Sequence, residues 1–408
     1  MNLNTLIKIG WRNIWRNKKR SLVVILSIVL GLYGGLIIAS LMITLNTQRM
    51  DTAINTYLAD IQIHNKNFSK EYSLNDTISN IQFLEKTLTN DNRVKSFSKR
   101  VVINGMLSNS TGSYGVNVLG IDPESEVRVT NVYSKLVEGD YFESKRLNTM
   151  IVGKKLADKL DLRLRSKVVV AFQDVNSDIT SLLFRVEGIF KSGNGMFDDY
   201  NVFVKNTSIF SNLTDLYGYH EIPILTTDEN ATQSLKFDLQ KTDNSLEVKS
   251  WDEIAVELAY ANQMISSFLY IFMLIVLSGL SFGIINTMLM AILERKKEIG
   301  MLMSIGMNKI YIFLMICFET VFLSLVAIPF GVLITYITVD YFSVTGIDLS
   351  IVGSGLENFG VGTILYLKLH NEYYYNLSLL VILISFISSI FPAIRALKIN
   401  PAEATKSI

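Results

Sequence analysis

The sequence is poor in the residues on which covalent and metal chemistry most often depend. Its 408 residues include one cysteine, Cys317, and three histidines, His64, His220 and His370, which are far apart along the chain. A single cysteine cannot form a disulfide within the chain, and an isolated histidine is more often structural than a metal ligand. The sequence therefore predicts neither a disulfide scaffold nor a metal site.

Motifs for nucleotide binding and for hydrolysis are also missing. No Gly-x-x-x-x-Gly-Lys-Ser/Thr segment occurs, since Gly153-Lys154-Lys155 is followed by leucine and lacks the upstream glycine. The sequence contains no Gly-x-Ser-x-Gly elbow. The acidic pair Asp198-Asp199 is as typical of a solvated turn as of a functional site. We therefore expect no active site and no cofactor in this chain.

Charge is missing from four long stretches of the sequence. Residues 21–45, 264–293 and 377–394 contain no charged residue, and residues 310–339 contain only Glu319. About 20 apolar residues suffice to cross the core of a bilayer, so each stretch predicts a transmembrane helix. A soluble protein would have to bury four almost wholly apolar helices in one core, which argues against that class.

Glu319 is the one acid within these stretches. A carboxylate inside the membrane is costly and usually faces protein or water. Two interpretations remain: a hydrogen bond within a pair of helices, which we favour, or a proton or ion path. Pro329 lies further along the same stretch and predicts a kink, because proline removes a backbone hydrogen bond.

The basic residues predict which segments face the cytoplasm. Residues 1–20 contain six lysines and arginines and no acid, and residues 294–309 contain four. By contrast, residues 343–376 contain Lys368 against three acids. Basic residues next to membrane spans stay in the cytoplasm. We therefore expect both termini and 294–309 inside, and residues 46–263 and 343–376 outside. The net charge of +1 gives no argument for nucleic acid as a partner.

The segments that flank the first two spans predict further helices. Residues 1–20 place apolar residues at helical spacing between cations, which is typical of an amphipathic helix bound to membrane lipids. Residues 46–58 keep the helical register of the first span. Ser250 and Glu253 form a capping box, and the absence of proline from 251–293 predicts one continuous helix. The two extensions together predict a helical stalk.

Strand-like and helix-like segments alternate between the stalk helices, which predicts an α+β domain. The expected strands are 60–64, 100–107, 115–121, 167–173, 182–190, 200–205, 222–226 and 246–250. The expected helices are 78–89, 153–160, 206–213 and 228–237.

The predicted fold class is thus a membrane α-helical protein, with four transmembrane helices and an α+β extracytoplasmic domain on a helical stalk. In chain order, the predicted segments are a cytoplasmic amphipathic helix (1–20), transmembrane helix 1 with its stalk (21–58), the extracytoplasmic domain (59–249), the stalk with transmembrane helix 2 (250–293), a cytoplasmic helix (294–309), transmembrane helix 3 (310–342), an extracytoplasmic loop (343–376), transmembrane helix 4 (377–397) and a cytoplasmic tail (398–408).

A charged insert, LERKKEIGMLMSIGMNK at 293–309, separates two of the longest apolar stretches. On a helix, two faces form: one with Ile299, Leu302, Met303 and Gly306, the other with Glu294, Lys297, Glu298 and Met301. Glu294 and Lys297 are expected to pair at i,i+3, and Gly306 and Asn308 to end the helix. Such a helix either lies in the headgroups or, as we favour, docks on a cytoplasmic partner.

Four groups of residues, spread over the whole chain, resemble one known family. They are Glu294–Gly300 with Ser304–Gly306, Trp11–Asn13 with Arg16–Ser21, Pro392–Ala396 with Asn400–Ala404, and the external segments Val118–Asp122, Val152–Lys154 and Val186–Phe190. In their order and spacing these segments resemble MacB-type ABC transporter permeases. That family includes FtsX-like proteins and the lipoprotein-releasing Lol permeases.

The resemblance implies a dimer of permease subunits, identical or homologous, in the inner membrane of a bacterium. Two copies of a separate cytoplasmic ABC ATPase would bind ATP and Mg²⁺, and no cofactor is expected in this chain. MacB proper has its ATPase fused at the N-terminus, whereas this sequence shows none there, which favours the split arrangement. The residues implied to contact the ATPase are Glu294, Arg295, Lys297, Glu298, Ile299, Gly300, Met303, Gly306 and Met307.

Three cargo hypotheses follow from the resemblance. The first is release of lipoproteins to a periplasmic carrier, with acyl chains in a cavity lined by Met42, Ile43, Met264, Phe268 and Ile271. The second is efflux of drugs, peptides or toxins through an adaptor and an outer-membrane duct. The third is an FtsX-like regulator of a cell-wall hydrolase, which the size of the external domain argues against. The hairpin at 174–181 is too short for the carrier-binding hook of some Lol subunits, so lipoprotein release is only slightly favoured.

Overall fold

A computed structural model describes residues 3–16, 18–358 and 360–399. Residues 400–408 of the predicted cytoplasmic tail, with the Asn400–Ala404 motif, lie outside the described residues. The chain divides into two compact units. The membrane unit comprises Met1–Leu45, Gln263–Asp348 and Ile364–Ile408, and the α+β unit comprises Asn46–Asn262 and Leu349–Thr363.

The described part of the chain contains four helices that are long and apolar enough to cross a membrane, as predicted. The first span is Lys18–Ala53, which continues through one π-helical turn, Ile54–Leu58. The second, third and fourth spans are Val256–Glu294, Lys309–Thr345 and Asn371–Leu397.

The N-terminal amphipathic helix, Leu3–Arg16, packs against the third span. Ile14 is buried, and the ring of Trp11 meets the edge of Phe322 with a centroid distance of 5.9 Å. The Ser21 hydroxyl donates to the Ile14 carbonyl at 2.6 Å, which holds the turn between this helix and the first span. The predicted helix is therefore confirmed, with one face covered by protein.

Pro329 lies inside the third span, and Gly331 follows it. A Cβ at Gly331 would lie 2.8 Å from Leu32 of the first span, so the absence of a side chain allows the two helices to approach closely. Thr335 donates to the Gly331 carbonyl at 2.8 Å, as hydroxyl groups often do near a proline in a membrane helix.

The first and second spans both extend into the α+β unit, and the extensions contact each other. Asn46 donates to the side chain of Asn262 at 2.5 Å, and Ala53, Leu58 and Leu258 form a small apolar cluster. The predicted continuous helix from 251 is wrong in one respect. A short helix, Trp251–Ile254, ends at Ala255, where φ is −102° and ψ is 62°, before the second span begins.

Two sheets with eleven strands in all form the α+β unit. Two further short strands, Ile347–Asp348 and Ile364–Leu365, pair with each other between the third and fourth spans. The eleven strands of the α+β unit are β1 Ile61–Asn65, β2 Val94–Phe97, β3 Val101–Ser108, β4 Ser113–Ile121, β5 Leu136–Gly139, β6 Thr149–Gly153, β7 Lys167–Gln173, β8 Ile179–Phe190, β9 Asn201–Lys205, β10 Glu221–Thr226 and β11 Leu246–Ser250. The smaller sheet has the order β11-β1-β10-β2, and the larger has the order β5-β8-β6-β9-β4-β3-β7. Since β8 also pairs with β7, six strands of the larger sheet close into a cycle.

Each sheet has its own apolar core. The smaller sheet packs against the helices Ile81–Asn90 and Glu229–Thr242, with Ile61, Leu84 and Leu235 in its centre. The cycle of the larger sheet encloses a second cluster that includes Val118, Val152 and Val186. Two further helices, Lys154–Lys159 and Asn206–Asn212, lie within the predicted ranges 153–160 and 206–213.

All eight predicted strands are present, and three were missed: β2, β5 and β6. The helix Pro123–Val129 was also missed, although Asp122 accepts from Ser125 N–H at its start and proline occupies its first position. The predicted external loop 343–376 is shorter, because the third span continues to Thr345 and the fourth begins at Asn371.

Candidate functional site

The charged insert between the second and third spans folds as a short separate helix, which we call the interspan helix, Lys296–Ser304. The second span ends at Glu294, and Arg295 leaves the helical conformation with φ −101° and ψ 20°. Gly306 has φ +90°, a conformation that costs a residue with a side chain about 1–2 kcal/mol. Asn308 accepts from the Ile310 N–H at 3.0 Å and so starts the third span.

The interspan helix and the residues that flank it have one face inside the protein and one exposed face. Ile299 and Gly300 are buried, and Met303 and Met307 pack against the apolar core of the membrane unit. The exposed residues include Glu294, Lys297, Glu298, Gly306 and two large apolar residues, Met301 and Ile305, which are 56% and 77% exposed.

The predicted ATPase-contact residues are therefore divided by the fold. Glu294, Lys297, Glu298 and Gly306 are accessible to a partner, whereas Ile299 and Gly300 face inward. Met301 was predicted to lie on the docking face, although it was not among the residues implied to contact the ATPase, and Ile305 was not predicted. Lys297, Met301 and Ile305 follow one another at i,i+4 spacing, and this pattern could have identified the exposed pair.

The predicted pair between Glu294 and Lys297 is wrong. The Glu294 carboxylate lies 3.7 Å from the guanidinium of Arg20, on the first span. Lys297 is exposed and has no ion pair among the described residues. Glu294 ends the second span and Lys297 lies beyond the break at Arg295, so the two residues do not share one helix and the i,i+3 spacing does not apply.

Arg295 connects the interspan helix to the third span. Its Nε donates to Glu298 at 2.9 Å, and its Nη1 donates to both carboxylate oxygens of Glu319, at 3.0 and 3.3 Å. Arg16 of the N-terminal helix binds Glu298 from the other side. Burial alone would raise the pKa of Glu298, but the hydrogen bonds from Arg16 and Arg295 outweigh it and hold that pKa below its usual range.

Glu319 is thus hydrogen-bonded to a residue outside its own helix, in keeping with the interpretation favoured from the sequence. It is 7% exposed, and its partner lies at the junction that precedes the interspan helix. An arginine can hold two carboxylates through separate nitrogens because the guanidinium group presents five N–H donors.

The five residues predicted to line a lipid cavity do not share one environment. Ile43 belongs to the apolar core of the membrane unit and is 7% exposed, and Met42 packs against that core. Phe268 and Ile271 are more than half exposed, and Met264 is half-buried. Met42 is half-buried like Met264, so only Ile43 of the five is buried, and the lining role of the set stays a prediction.

The α+β unit contains an open cleft of about 800 Å³ that was not predicted. It includes cations, acids and aromatic rings in similar proportion, among them Arg49, Tyr57, His64, Arg100, Phe197, Glu221, Lys249 and Glu257. This mixture selects no single class of ligand. Among the described residues, no group of three or more His, Cys, Asp or Glu side chains is placed to hold a metal ion.

Two of the three histidines are structural. His220 accepts from the Val102 N–H at 3.2 Å, and its other ring nitrogen lies 3.1 Å from the Leu74 carbonyl. Burial lowers the pKa of both His220 and His64, so the neutral forms are favoured. This is the role expected of isolated histidines.

Comparison with known proteins agrees with this architecture. Residues 270–401 match the FtsX-like permease C-terminal family. The chain is 21% identical to the lipoprotein-releasing system transmembrane protein LolE of Haemophilus influenzae, over 99% of this chain and 100% of that protein. It is 24% identical to LolC of Buchnera aphidicola, over 82% of this chain and 83% of that protein.

Solved structures similar to the chain include two isolated domains. One is the periplasmic region of MacB from Actinobacillus actinomycetemcomitans, with 16% identity, a TM-score of 0.34, and 49% of this chain and 92% of that chain covered. The other is the extracellular domain of the transporter YknZ from Gram-positive bacteria, with 14% identity, a TM-score of 0.33, and 47% and 99% covered.

Four apolar spans, an α+β unit and a short charged helix between the second and third spans define a multi-pass membrane subunit of the permease class. Such subunits are located in the inner membrane and do not themselves catalyse a reaction. Residues 270–401 match the FtsX-like permease family, and over most of its length the chain is similar to ABC transporter permeases of the Lol type.

Proposed function

We propose that this permease converts the ATP-driven motion of a separate ATPase into a conformational change outside the cytoplasm, and thereby releases lipoproteins from the inner membrane. The observation that supports the cargo is similarity over most of the chain to two proteins named for lipoprotein release. Both termini and the interspan helix lie in the cytoplasm in this proposal, in keeping with their basic residues.

The exposed face of the interspan helix supports the coupling step. Lys297, Met301 and Ile305 combine a cation with two apolar side chains that the described residues leave more than half exposed. Exposed apolar side chains next to charge are typical of a surface that docks on a partner protein. The partner binds ATP and Mg²⁺, and two copies of it serve two permease subunits, identical or homologous.

Movement of that face would reach the α+β unit through the first two spans. Each is one long helix with an extension inside the α+β unit, and Asn46 and Asn262 join the extensions. The exposed side chains Phe268 and Ile271 would meet acyl chains in the membrane.

Efflux of a drug, peptide or toxin with an adaptor is the second candidate, and one observation favours it. The turn between β7 and β8 spans only residues 174–178, so this chain offers no long hook for a periplasmic carrier. An FtsX-like regulatory role is the third, and the eleven-stranded α+β unit argues against it.

The test is purification of the intact complex from native membranes, followed by release assays in lipid vesicles. An acylated lipoprotein in the eluate and its ATP-dependent release support the proposal. An adaptor protein in the eluate, with no acylated protein, supports efflux instead. The Met301→Glu variant should lose the ATPase during purification, whereas Ile351→Glu, which changes a fully exposed residue between the third and fourth spans, should retain it.

A further inference from the structure

Arg295 faces the protein interior, although it belongs to the charged segment proposed to meet the ATPase. Its side chain is 14% exposed, and its nitrogens donate to Glu298 and Glu319. A partner protein could reach little of this side chain. Arg295 is therefore placed to act within the permease rather than on the ATPase surface.

Glu319 lies ten residues inside the third span, which corresponds to about 15 Å from the start of that helix at 1.5 Å per residue. It is 7% exposed. A charge in this environment is costly unless it is paired, and the loss of one partner leaves the other charge uncompensated. The hydrogen bonds from Arg295 meet this requirement.

The chain connection alone would hold the interspan helix to the third span loosely. The link consists of Ile305 to Asn308, which is not helical and includes Gly306 at φ +90°. This joint and the apolar packing of Ile299 and Met303 on the core of the membrane unit hold one side of the helix without setting a specific direction. Arg295 supplies a second attachment at the opposite end of the interspan helix, at a point well along the third span. Two separated attachments fix an angle where one does not.

We propose that Arg295 and Glu319 form a positioning pair that fixes the angle of the interspan helix to the third span, so that displacement of the helix moves the second and third spans together. This inference rests on the proposed coupling function. The pair transmits movement and does not contribute to binding of the ATPase. Arg16 strengthens it by holding Glu298, the other acceptor of Arg295.

The test is a double-mutant cycle on the full complex in lipid vesicles, with Arg295→Gln, Glu319→Gln and both together. Each single variant should lower the kcat of permease-stimulated ATP hydrolysis about tenfold, within the usual range of coupling between sites. The KM for ATP and co-purification of the ATPase should not change. The double variant should lose no more than either single variant, because the two residues act as one unit.

Matched controls separate the pair from a general loss of charge. Arg12→Gln removes an exposed cation from the N-terminal helix, and Glu372→Gln removes an exposed acid at the start of the fourth span. Both should leave kcat unchanged. Arg295→Lys retains a cation that can still reach Glu319, and should recover most of the stimulated hydrolysis.

Three results would overturn the inference. Glu319→Gln with normal stimulation would remove the need for the pair, and losses that add in the double variant would show that the residues act separately. Loss of ATPase co-purification in Arg295→Gln would place Arg295 on the docking surface instead. Failure of the unmodified permease to bind an ATPase overturns the proposed function itself. If Glu319→Gln does not insert into the membrane, the stimulated ATP hydrolysis of Arg295→Gln and Arg295→Lys is compared instead. Equal loss in the two variants would then overturn the inference.

Discussion

Two arginines, one in each unit, hold two carboxylates each, yet their surroundings differ. In the α+β unit, Arg100 is 1% exposed and donates to Glu126 at 2.6 Å and to Glu221 at 2.5 Å. In the membrane unit, Arg295 holds Glu319 at one end and Glu298 at the other, and Glu298 is about half exposed.

The carboxylates of the Arg100 cluster are closed off from solvent, whereas the Arg295 cluster is open to solvent at Glu298. The carboxylates of the Arg100 cluster are almost fully buried, and its third contact is the Tyr57 carbonyl, at 3.1 Å. Burial opposes the charge on Arg100, but Glu126 and Glu221 outweigh it and raise the pKa of the guanidinium. A closed cluster stabilises one arrangement of strands, whereas the exposed end of the Arg295 cluster can respond to a partner.

The largest expected effect is on the closed cluster. Arg100→Ala leaves Glu126 and Glu221 buried without their cation, which should cost about 3–5 kcal/mol of unfolding free energy. Thermal unfolding of the full chain in detergent, followed by circular dichroism, measures it. Lys159→Ala breaks the more exposed pair with Asp199 and should cost less than about 1 kcal/mol. Equal shifts in the two variants would refute the contrast.

The open cluster should affect coupling rather than stability. Glu298→Lys places a third cation beside Arg16 and Arg295, and Gly306→Trp strains the joint at φ +90°. The double variant should insert normally but lower stimulated ATP hydrolysis at least about tenfold. Hydrolysis in lipid vesicles and membrane levels of the protein are the measurements. Glu143→Lys, at an exposed site of the α+β unit, is the control, and normal stimulation in the double variant contradicts the account.

Acidification should weaken the α+β unit through His220. Burial lowers the pKa of folded His220 below the unfolded value of about 6.5, so the unfolded chain binds a proton first as the pH falls. Stability is therefore lost below pH 6.5, by at most about 1.4 kcal/mol per pH unit from this group.

The measurement is the unfolding midpoint between pH 7.5 and 5.5. His220→Gln should reduce its pH dependence and leave the part that comes from buried His64, while the control variant His370→Gln, changed at an exposed site, should retain all of it. The same slope in His220→Gln and in the unmodified protein would exclude this histidine as the cause.

The smallest stability effect is expected at the proposed acyl-chain surface. Phe268 is 53% exposed, so Phe268→Ala should change the unfolding free energy by less than about 0.5 kcal/mol. Lipoprotein release from vesicles should nevertheless slow. Ile43→Ala, at a buried position, should instead cost about 2–5 kcal/mol. Unchanged release in Phe268→Ala would remove this residue from the predicted lining.

The membrane spans were predictable because a bilayer imposes a length and forbids most charge, a constraint that acts on each stretch separately. The α+β unit was harder. Thr149–Gly153 was missed, although all five residues are buried, because its environment comes from β8 and β9 on either side. Short, wholly buried strands have no alternation that periodicity can detect.

The ion pairs were likewise predictable only in part. The sequence identified Glu319 as an unusual acid but could not identify Arg295, 24 positions earlier, as its partner. The i,i+3 rule predicted Glu294 with Lys297, whereas Arg20 of a neighbouring helix took that place. The spacing rule for one helix fails here because the chain leaves the helical conformation at Arg295, between the two residues.

The central claim is that the interspan helix lies in the cytoplasm and receives movement from the ATPase. A single cysteine at Met301, in a Cys317→Ser background, tests it with membrane-impermeant thiol reagents and with crosslinking to the ATPase. The account predicts labelling only from the cytoplasmic side and a crosslink that forms in the assembled complex. Labelling from the external side of intact cells would contradict it.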